Sequence, residues 1–387
     1  MRTMNDHRSM PKAAERLLGA VALLMLLSGW TASGTTKVWA ATDDGSGAGQ
    51  QGHLSDDEIG TMAGTILEDG RGPTGDVFGK KIQAALQREP VARNGVRATH
   101  VNVAYGDHRR NVFDLWMADS QRPTPLVIFI HGGGFRRGDK SLLYDSTILV
   151  DLLEAGISVA GINYRFSHQN PAGTLGSLKD AARFVQFIRF HADTYNIDKR
   201  RVACYGGSAG GAASLWLAFR DEMADPTDPD PIAAESTRLT AAAAMATPST
   251  LDVLRWPEIL GISHAQAIAT ARYFGAKDEA ELLSEQGRRM RAEIDLLEFM
   301  SADDPPIFVH NNDPGHVPKQ VGHMAHHPNH ARVLKQRADE LGIEAVVFAP
   351  QIGLQHPSGE NLIGFLVRHL KLPDEASGRV HGSVSPR

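Results

Sequence analysis

Val202-Ala203-Cys204-Tyr205-Gly206-Gly207-Ser208-Ala209-Gly210-Gly211 leads from an apolar segment through a glycine-rich turn into a helix-forming stretch with Ala212, Leu215, Leu217 and Phe219. It contains the only G-x-S-x-G of the chain. Strand, tight turn and helix in that order explain the spacing. A turn this sharp forces its apical residue into strained backbone, and flanking glycines remove the Cβ atoms that would clash. Such a turn lifts Ser208 out of the carboxyl end of a sheet, over a helix N-terminus that favours developing negative charge. Ser208 is therefore the candidate nucleophile.

Upstream, the apolar run Leu126–Ile130 enters His131-Gly132-Gly133-Gly134-Phe135. Three consecutive glycines after a buried strand are costly in chain entropy, and they make sense where backbone N–H groups must approach a ligand closely. Amides preorganised around an alkoxide-like oxygen each contribute about 3 kcal/mol to acyl transfer. Gly133 and Gly134 are two candidate donors, and Ala209, after the nucleophile, is a third. The remaining continuous apolar runs are Ile157–Ile162, Val202–Tyr205, Leu239–Ala246, Ile307–Val309 and Ile343–Ala349. Strands of this kind are buried on both faces, as in a mostly parallel sheet. His100–Ala104 and Asn111–Met117 alternate like an antiparallel pair. Helical patterns over Lys140–Glu154, Leu175–Tyr195, Asn329–Leu341 and Gly359–Leu370 separate the runs, with Leu178, Ala181, Val185, Ile188 and Ala192 along one face and Gly342 as a C-terminal cap. The fold class is α/β, a doubly wound, mostly parallel sheet, with residues 250–300 read as an inserted helical lid.

Residues 96–370, about 70% of the chain, resemble the α/β-hydrolase superfamily. Within it they are similar to the hormone-sensitive-lipase-like and feruloyl-esterase-like carboxylesterases, on His131–Gly134 ahead of the Ser208 turn. Gly138-Asp139-Lys140, Asn163-Tyr164-Arg165 and Asn196-Ile197-Asp198 also match. The resemblance implies a cofactor-free serine esterase with a triad in the order Ser, acid, His. It points to Asp313, followed by Pro314 in the loop after Ile307–Val309, as the acid; Asp303 and Asp304 lie at the wrong end of that strand. It places the base after Ile343–Ala349, where His356 is the only histidine before the last helix. The base takes the serine proton and the acid fixes its tautomer.

His323, His326, His327 and His330 fall within eight residues, with His316 nearby. Their spacing could serve a transition metal on one helix face, but Pro328 interrupts such a helix and no carboxylate or cysteine sits among them. A solvated loop leading into the Asn329 helix is the plainer reading, and a histidine lining the substrate cleft is another. No metal or cofactor is expected. Trp256, Tyr273, Met290 and Met300 read as packing inside the lid or as an acyl-pocket wall, and Arg165 and Asp180 as structural partners.

The chain has 387 residues, 42% hydrophobic and 22% charged, which is ordinary for a globular protein. A formal charge of −5 without a basic tail gives no footprint for nucleic acid. Leu17–Trp30 is an uncharged run behind Arg2, Arg8, Lys12 and Arg16, and Val38-Trp39-Ala40 offers a cleavage site. Residues 1–40 are thus expected to be a signal peptide, implying a secreted or periplasmic protein without a stable membrane span after cleavage; an uncleaved anchor is the alternative. That segment carries five basic and two acidic residues, so its removal moves the charge to about −8. Residues 41–95 read as a linker and a short helical extension, 96–372 as the hydrolase domain and 373–387 as a flexible tail. Cys204, the single cysteine, excludes an internal disulfide and reads as a buried small hydrophobe.

These features together lead to the expectation of an exported carboxylic-ester hydrolase acting on small-molecule or polysaccharide-linked esters. A deacetylase or feruloyl esterase for polysaccharide, an amide hydrolase, and a catalytically silent binding protein are the alternatives. The oligomeric state is left open.

Overall fold

The structure is a computed structural model that describes residues 88–271, 276 and 278–371. The expected signal segment, the linker and helical extension as far as residue 87, and the tail lie outside the described residues.

Eight strands form one sheet: β1 (His100–Ala104), β2 (Val112–Trp116), β3 (Thr124–Ile130), β4 (Ser158–Ile162), β5 (Ile197–Gly207), β6 (Ala241–Met245), β7 (Ile307–His310) and β8 (Ala345–Phe348). Their spatial order is β1-β2-β4-β3-β5-β6-β7-β8. β1 pairs with β2, and β2 with β4, antiparallel; every other pairing is parallel. The expected antiparallel pair and parallel runs are therefore all present. Every residue of β3, β4 and β6 is buried, as the lack of polar alternation requires. Ile128 faces one layer of the core, and its neighbours Val127 and Phe129 face the other.

The helices flanking the sheet are α1 (Thr147–Glu154), α2 (Gly173–Phe190) and α3 (Ala209–Phe219). Lys140–Leu143 is a separate 3₁₀ turn, and α1 begins anew because the Ser146 hydroxyl caps it, accepting from Ile148 N at 3.2 Å. α2 stops at Phe190, short of the expected Tyr195, but it buries Leu178, Ala181, Val185 and Ile188 as the spacing requires. The stretch expected to form a lid is helical: α4 (Trp256–Leu260), α5 (His264–Ala271), α6 (Glu279–Leu283), α7 (Glu285–Ala292) and α8 (Leu296–Phe299) lie between β6 and β7. Trp256 is fully buried there, its indole N–H donating to Thr250 O at 3.0 Å and its ring edge-on to that of His330 at 5.3 Å, so it packs between this insertion and the Asn329–Leu341 helix; Tyr273 lies outside the described residues. The chain continues through α9 (Val321–His326), α10 (Asn329–Leu341) and α11 (Leu362–Leu370). Gly342, at φ 74°, ends α10 as the sequence implies. No helix of the described residues is long and apolar enough to cross a membrane.

α3 lies unusually close to the sheet, and its glycines are the reason. A Cβ on Gly210 would overlap the carbonyl of Ile130 at the end of β3, and one on Gly206 would meet the same oxygen. β6 is Ala-Ala-Ala-Ala-Met, and a Cβ on Gly211 would sit 3.2 Å from that of Ala244. Gly210→Ala is expected to cost about 3 kcal/mol by overpacking, which lowers the melting temperature by roughly 6 °C or more. Thermal denaturation checks this; an unchanged melting temperature would show that the β3–α3 contact yields without strain.

Candidate active site

β5 ends in the turn Gly206-Gly207-Ser208, and α3 begins at Ala209. Ser208 stands at the apex with φ 54° and ψ −121°, a region that a residue with a Cβ occupies only when its surroundings force it. Two contacts supply the force. Ser208 N–H donates to Met245 O at 2.8 Å, and the Thr247 hydroxyl donates to Ser208 O at 3.1 Å, tying the turn to the end of β6. The next residue there, Ala246, is also at positive φ, 43°.

Ser208 Oγ lies 2.7 Å from Nε2 of His326, the last residue of α9, whose side chain is fully buried. Across the ring, His326 Nδ1 is 3.9 Å from Asp313 Oδ2. Asp313 follows β7, and burial pushes its carboxyl up to about 6. Asn311 ties the two segments together: its Nδ2 donates to His326 O at 2.7 Å, and its Oδ1 accepts from Asp313 N at 2.9 Å. The structure thus gathers Ser208, His326, Asp313 and Asn311 at the carboxyl ends of β5, β6 and β7.

The structure brings His326, and not His356 as expected from the sequence, against Ser208. His356 sits half-buried between β8 and α11, where its Nδ1 accepts from the Ser358 hydroxyl at 2.8 Å. The connection after β8 folds straight back on its strand, with Ala349 and Leu354 exchanging backbone hydrogen bonds of 2.8 and 3.1 Å. The segment after β7 packs on that turn; a Cβ on Gly315 would lie 2.9 Å from Ile352 Cγ2. The long β7–α10 connection, whose histidine-rich part reads from sequence as a solvated loop leading into the Asn329 helix, therefore carries the histidine that meets Ser208. The pattern that could have signalled it is His326-His327-Pro328 immediately ahead of α10.

The other histidines of the cluster have local partners. His330 is buried between Ser249 Oγ (3.0 Å from Nδ1) and Met324 O (3.0 Å from Nε2), and burial holds it down to about 3. His323 Nε2 donates to Pro314 O at 2.7 Å. Burial, and then the neighbouring His323, pull His327 down to about 4. Among the described residues, no group of three His, Cys, Asp or Glu side chains is disposed to hold a metal ion. Arg165 and Asp180 form a multiply bonded ion pair (2.6 Å at its closest), which makes them structural partners. Cys204 is buried in β5, and burial raises its thiol above its usual range.

His131–Gly134 follows β3, adjacent to the Ser208 turn through the contact of Gly210 with Ile130. Gly133 has φ 120° and Gly134 φ 60°. Ala209 N–H, in the first turn of α3, has no intrahelical acceptor. The Gly133 and Gly134 amides donate to no acceptor among the described residues. Beyond this turn lies a cavity of about 770 Å³, lined among others by Arg136, His168, Asn170, Leu175, Gln286 and Met290.

The BD-FAE family model matches residues 113–326, more than half of the chain, and ends on His326. The probable isoprenylcysteine alpha-carbonyl methylesterase ICMEL1 of Arabidopsis thaliana is 30% identical over 142 residues, covering 36% of this chain and 29% of that protein. The probable carboxylic ester hydrolase LipM of Mycobacterium tuberculosis is 25% identical over 262 residues, 66% of this chain and 55% of that one. The chain spans less than a third of the length of the first curated relatives it matches. Among solved structures, a truncated carbohydrate esterase from gut microbiota superposes with a TM-score of 0.54 at 19% identity, over 67% of this chain and 90% of that one. With a serine at a strained strand–helix turn, a histidine against it and a family model spanning both, the chain belongs to the BD-FAE family and has the α/β-hydrolase fold.

Proposed function

We propose that the protein is a serine carboxylic-ester hydrolase in which Ser208, His326 and Asp313 form the catalytic triad. The observation that carries this reading is the 2.7 Å contact between Ser208 Oγ, on its strained turn, and His326 Nε2. Nε2 accepts the hydroxyl proton as Oγ attacks the ester carbonyl. Asp313 accepts from Nδ1–H and stabilises the imidazolium; the 3.9 Å separation closes when the ring becomes charged. The tetrahedral oxygen rests on the Gly133, Gly134 and Ala209 amides. His326 returns the proton to the leaving alcohol, and water then deacylates Ser208 by the same roles.

The substrates proposed are small- to medium-acyl esters, with the helical insertion over residues 250–300 acting as a lid. A polysaccharide-linked acetyl or feruloyl ester is the second reading. It is favoured by the carbohydrate esterase among the structural relatives. Export follows from the uncharged run Leu17–Trp30 behind a basic start.

Labelling with a fluorophosphonate probe tests the proposal. The wild-type chain is expected to label and to hydrolyse p-nitrophenyl acetate, and Ser208→Ala to do neither. A folded wild-type chain that neither labels nor turns over would favour a silent binding protein. A panel of acetyl, butyryl, longer-acyl and feruloyl esters then ranks the substrate readings.

A further inference from the structure

Arg110, in the turn between β1 and β2, grips the His131–Gly138 turn at both ends. Its Nη2 donates to Gly138 O at 3.1 Å and stands 3.2 Å from His131 Nε2. Its Nε donates to Tyr164 O at 2.8 Å, and its guanidinium carbon lies 3.8 Å from the centre of the Phe166 ring. A guanidinium has donors and no acceptor, so His131 Nε2 must accept. In a neutral imidazole the proton then resides on Nδ1. Neutrality is enforced by burial and by the charge of Arg110, which together hold the ring down to about 3. Nδ1 lies 2.8 Å from Gly132 O, which can only accept, so the bond runs from Nδ1–H to that carbonyl. The ring itself cannot turn freely. It stacks on Tyr164 with centroids 4.3 Å apart, and the Tyr164 hydroxyl donates to His131 O at 2.8 Å.

The Gly132 carbonyl and the Gly133 N–H belong to one planar peptide unit, so orienting one orients the other. The flanking residues are glycines, Gly133 at φ 120°, and no Cβ restricts the rotation of that unit. Only an external contact fixes its direction, and the His131 ring provides it.

We propose that Arg110 is a positioning residue: it selects the His131 tautomer whose Nδ1–H holds the Gly132 carbonyl, and it thereby aims the Gly133 N–H at the developing oxyanion. The kinetic consequence rests on the ester-hydrolase reading; the tautomer does not.

The test is a long-range ¹H–¹⁵N spectrum of the full chain labelled with ¹⁵N-histidine, with the His131 signals identified by their loss in His131→Gln. Wild type is expected to show a protonated Nδ1 and an unprotonated Nε2 at His131, and Arg110→Met a mixture of tautomers. In parallel, Arg110→Met is expected to lower kcat on p-nitrophenyl acetate by roughly 30-fold with KM nearly unchanged, somewhat less than the 10²–10³ for deleting an oxyanion donor outright. Arg110→Lys, which keeps the charge and a donor, is expected to recover part of the loss. An Nε2-protonated His131 in wild type overturns the inference whatever the activity. So does an unchanged kcat in Arg110→Met once the tautomer has switched. A wild-type chain with the stated tautomer and no ester turnover overturns the ester-hydrolase reading alone. If Arg110→Met does not fold, the wild-type spectrum and Arg110→Lys decide between these outcomes.

Discussion

His326→Ala is expected to lower kcat on p-nitrophenyl acetate by roughly 10⁴- to 10⁶-fold, while His356→Ala stays within about threefold of wild type. The asymmetry follows from distance. A general base must stand within hydrogen-bond reach of the proton it removes, and His326 Nε2 is 2.7 Å from Ser208 Oγ. The His356 ring is held by Ser358 in the connection after β8. Without His326 the serine keeps its proton at neutral pH, and only the oxyanion amides and substrate binding remain to assist a water molecule. Loss of fluorophosphonate labelling should parallel the loss of kcat, because both require the activated serine. The opposite ranking, with His356→Ala inactive and His326→Ala active, would mean that the connection after β8 reaches Ser208 in solution and that the assigned triad is wrong.

Asp313→Asn is expected to lower kcat by about 10⁴-fold while making the protein more stable at alkaline pH. The first effect arises because an amide can present its NH₂ group to His326 Nδ1 and stabilise the wrong tautomer, and because no charge remains to balance the imidazolium. The second follows from burial, which lifts the Asp313 carboxyl from 3.8 to about 6. A raised carboxyl pKa means that the native state holds this proton more tightly than the unfolded chain does. The group's contribution therefore improves as pH falls through 6 and levels off near 4. Above pH 6 the buried carboxylate costs up to ~3 kcal/mol, which asparagine removes. Urea unfolding of both proteins should show Asp313→Asn ahead at pH 8 and the gap closing toward pH 4. A gap that widens on acidification would show that Asp313 is stabilised in its charged form. The same titration predicts an acid limb in wild-type kcat/KM near pH 6, where the acceptor for Nδ1–H is lost. Such an exchange of stability for activity is expected where a carboxylate is buried for function.

Much of the architecture is legible in the sequence. Apolar runs such as Leu126–Ile130 and Ile307–Val309 lie inside strands because continuous apolar sequence demands burial on both faces. The expected 140–154 helix was less accurate, since the Ser146 cap splits it and a short local hydrogen bond outweighs periodicity. Arg110 gave no sequence signal at all. It is one of many arginines, and its importance comes from reaching His131, 21 positions away, and Tyr164, 54 positions away.

The proposed nucleophile and the proposed oxyanion motif are local. A glycine-bounded serine after an apolar strand can satisfy its backbone in few ways, so sequence alone determined that Ser208 stands at the apex of a strand–helix turn and that Gly132–Gly134 follow a buried strand. The proposed base is not local. Each histidine of the carboxyl-terminal third is chemically able to take a proton, and the choice among them depends on which loop ends 2.7 Å from Ser208 Oγ. That is decided by the tight return at Ala349–Leu354, by the packing of Gly315 on Ile352 and by the Asn311 hydrogen bond to His326 O. These contacts join residues distant in the chain, and only the tertiary structure brings them together.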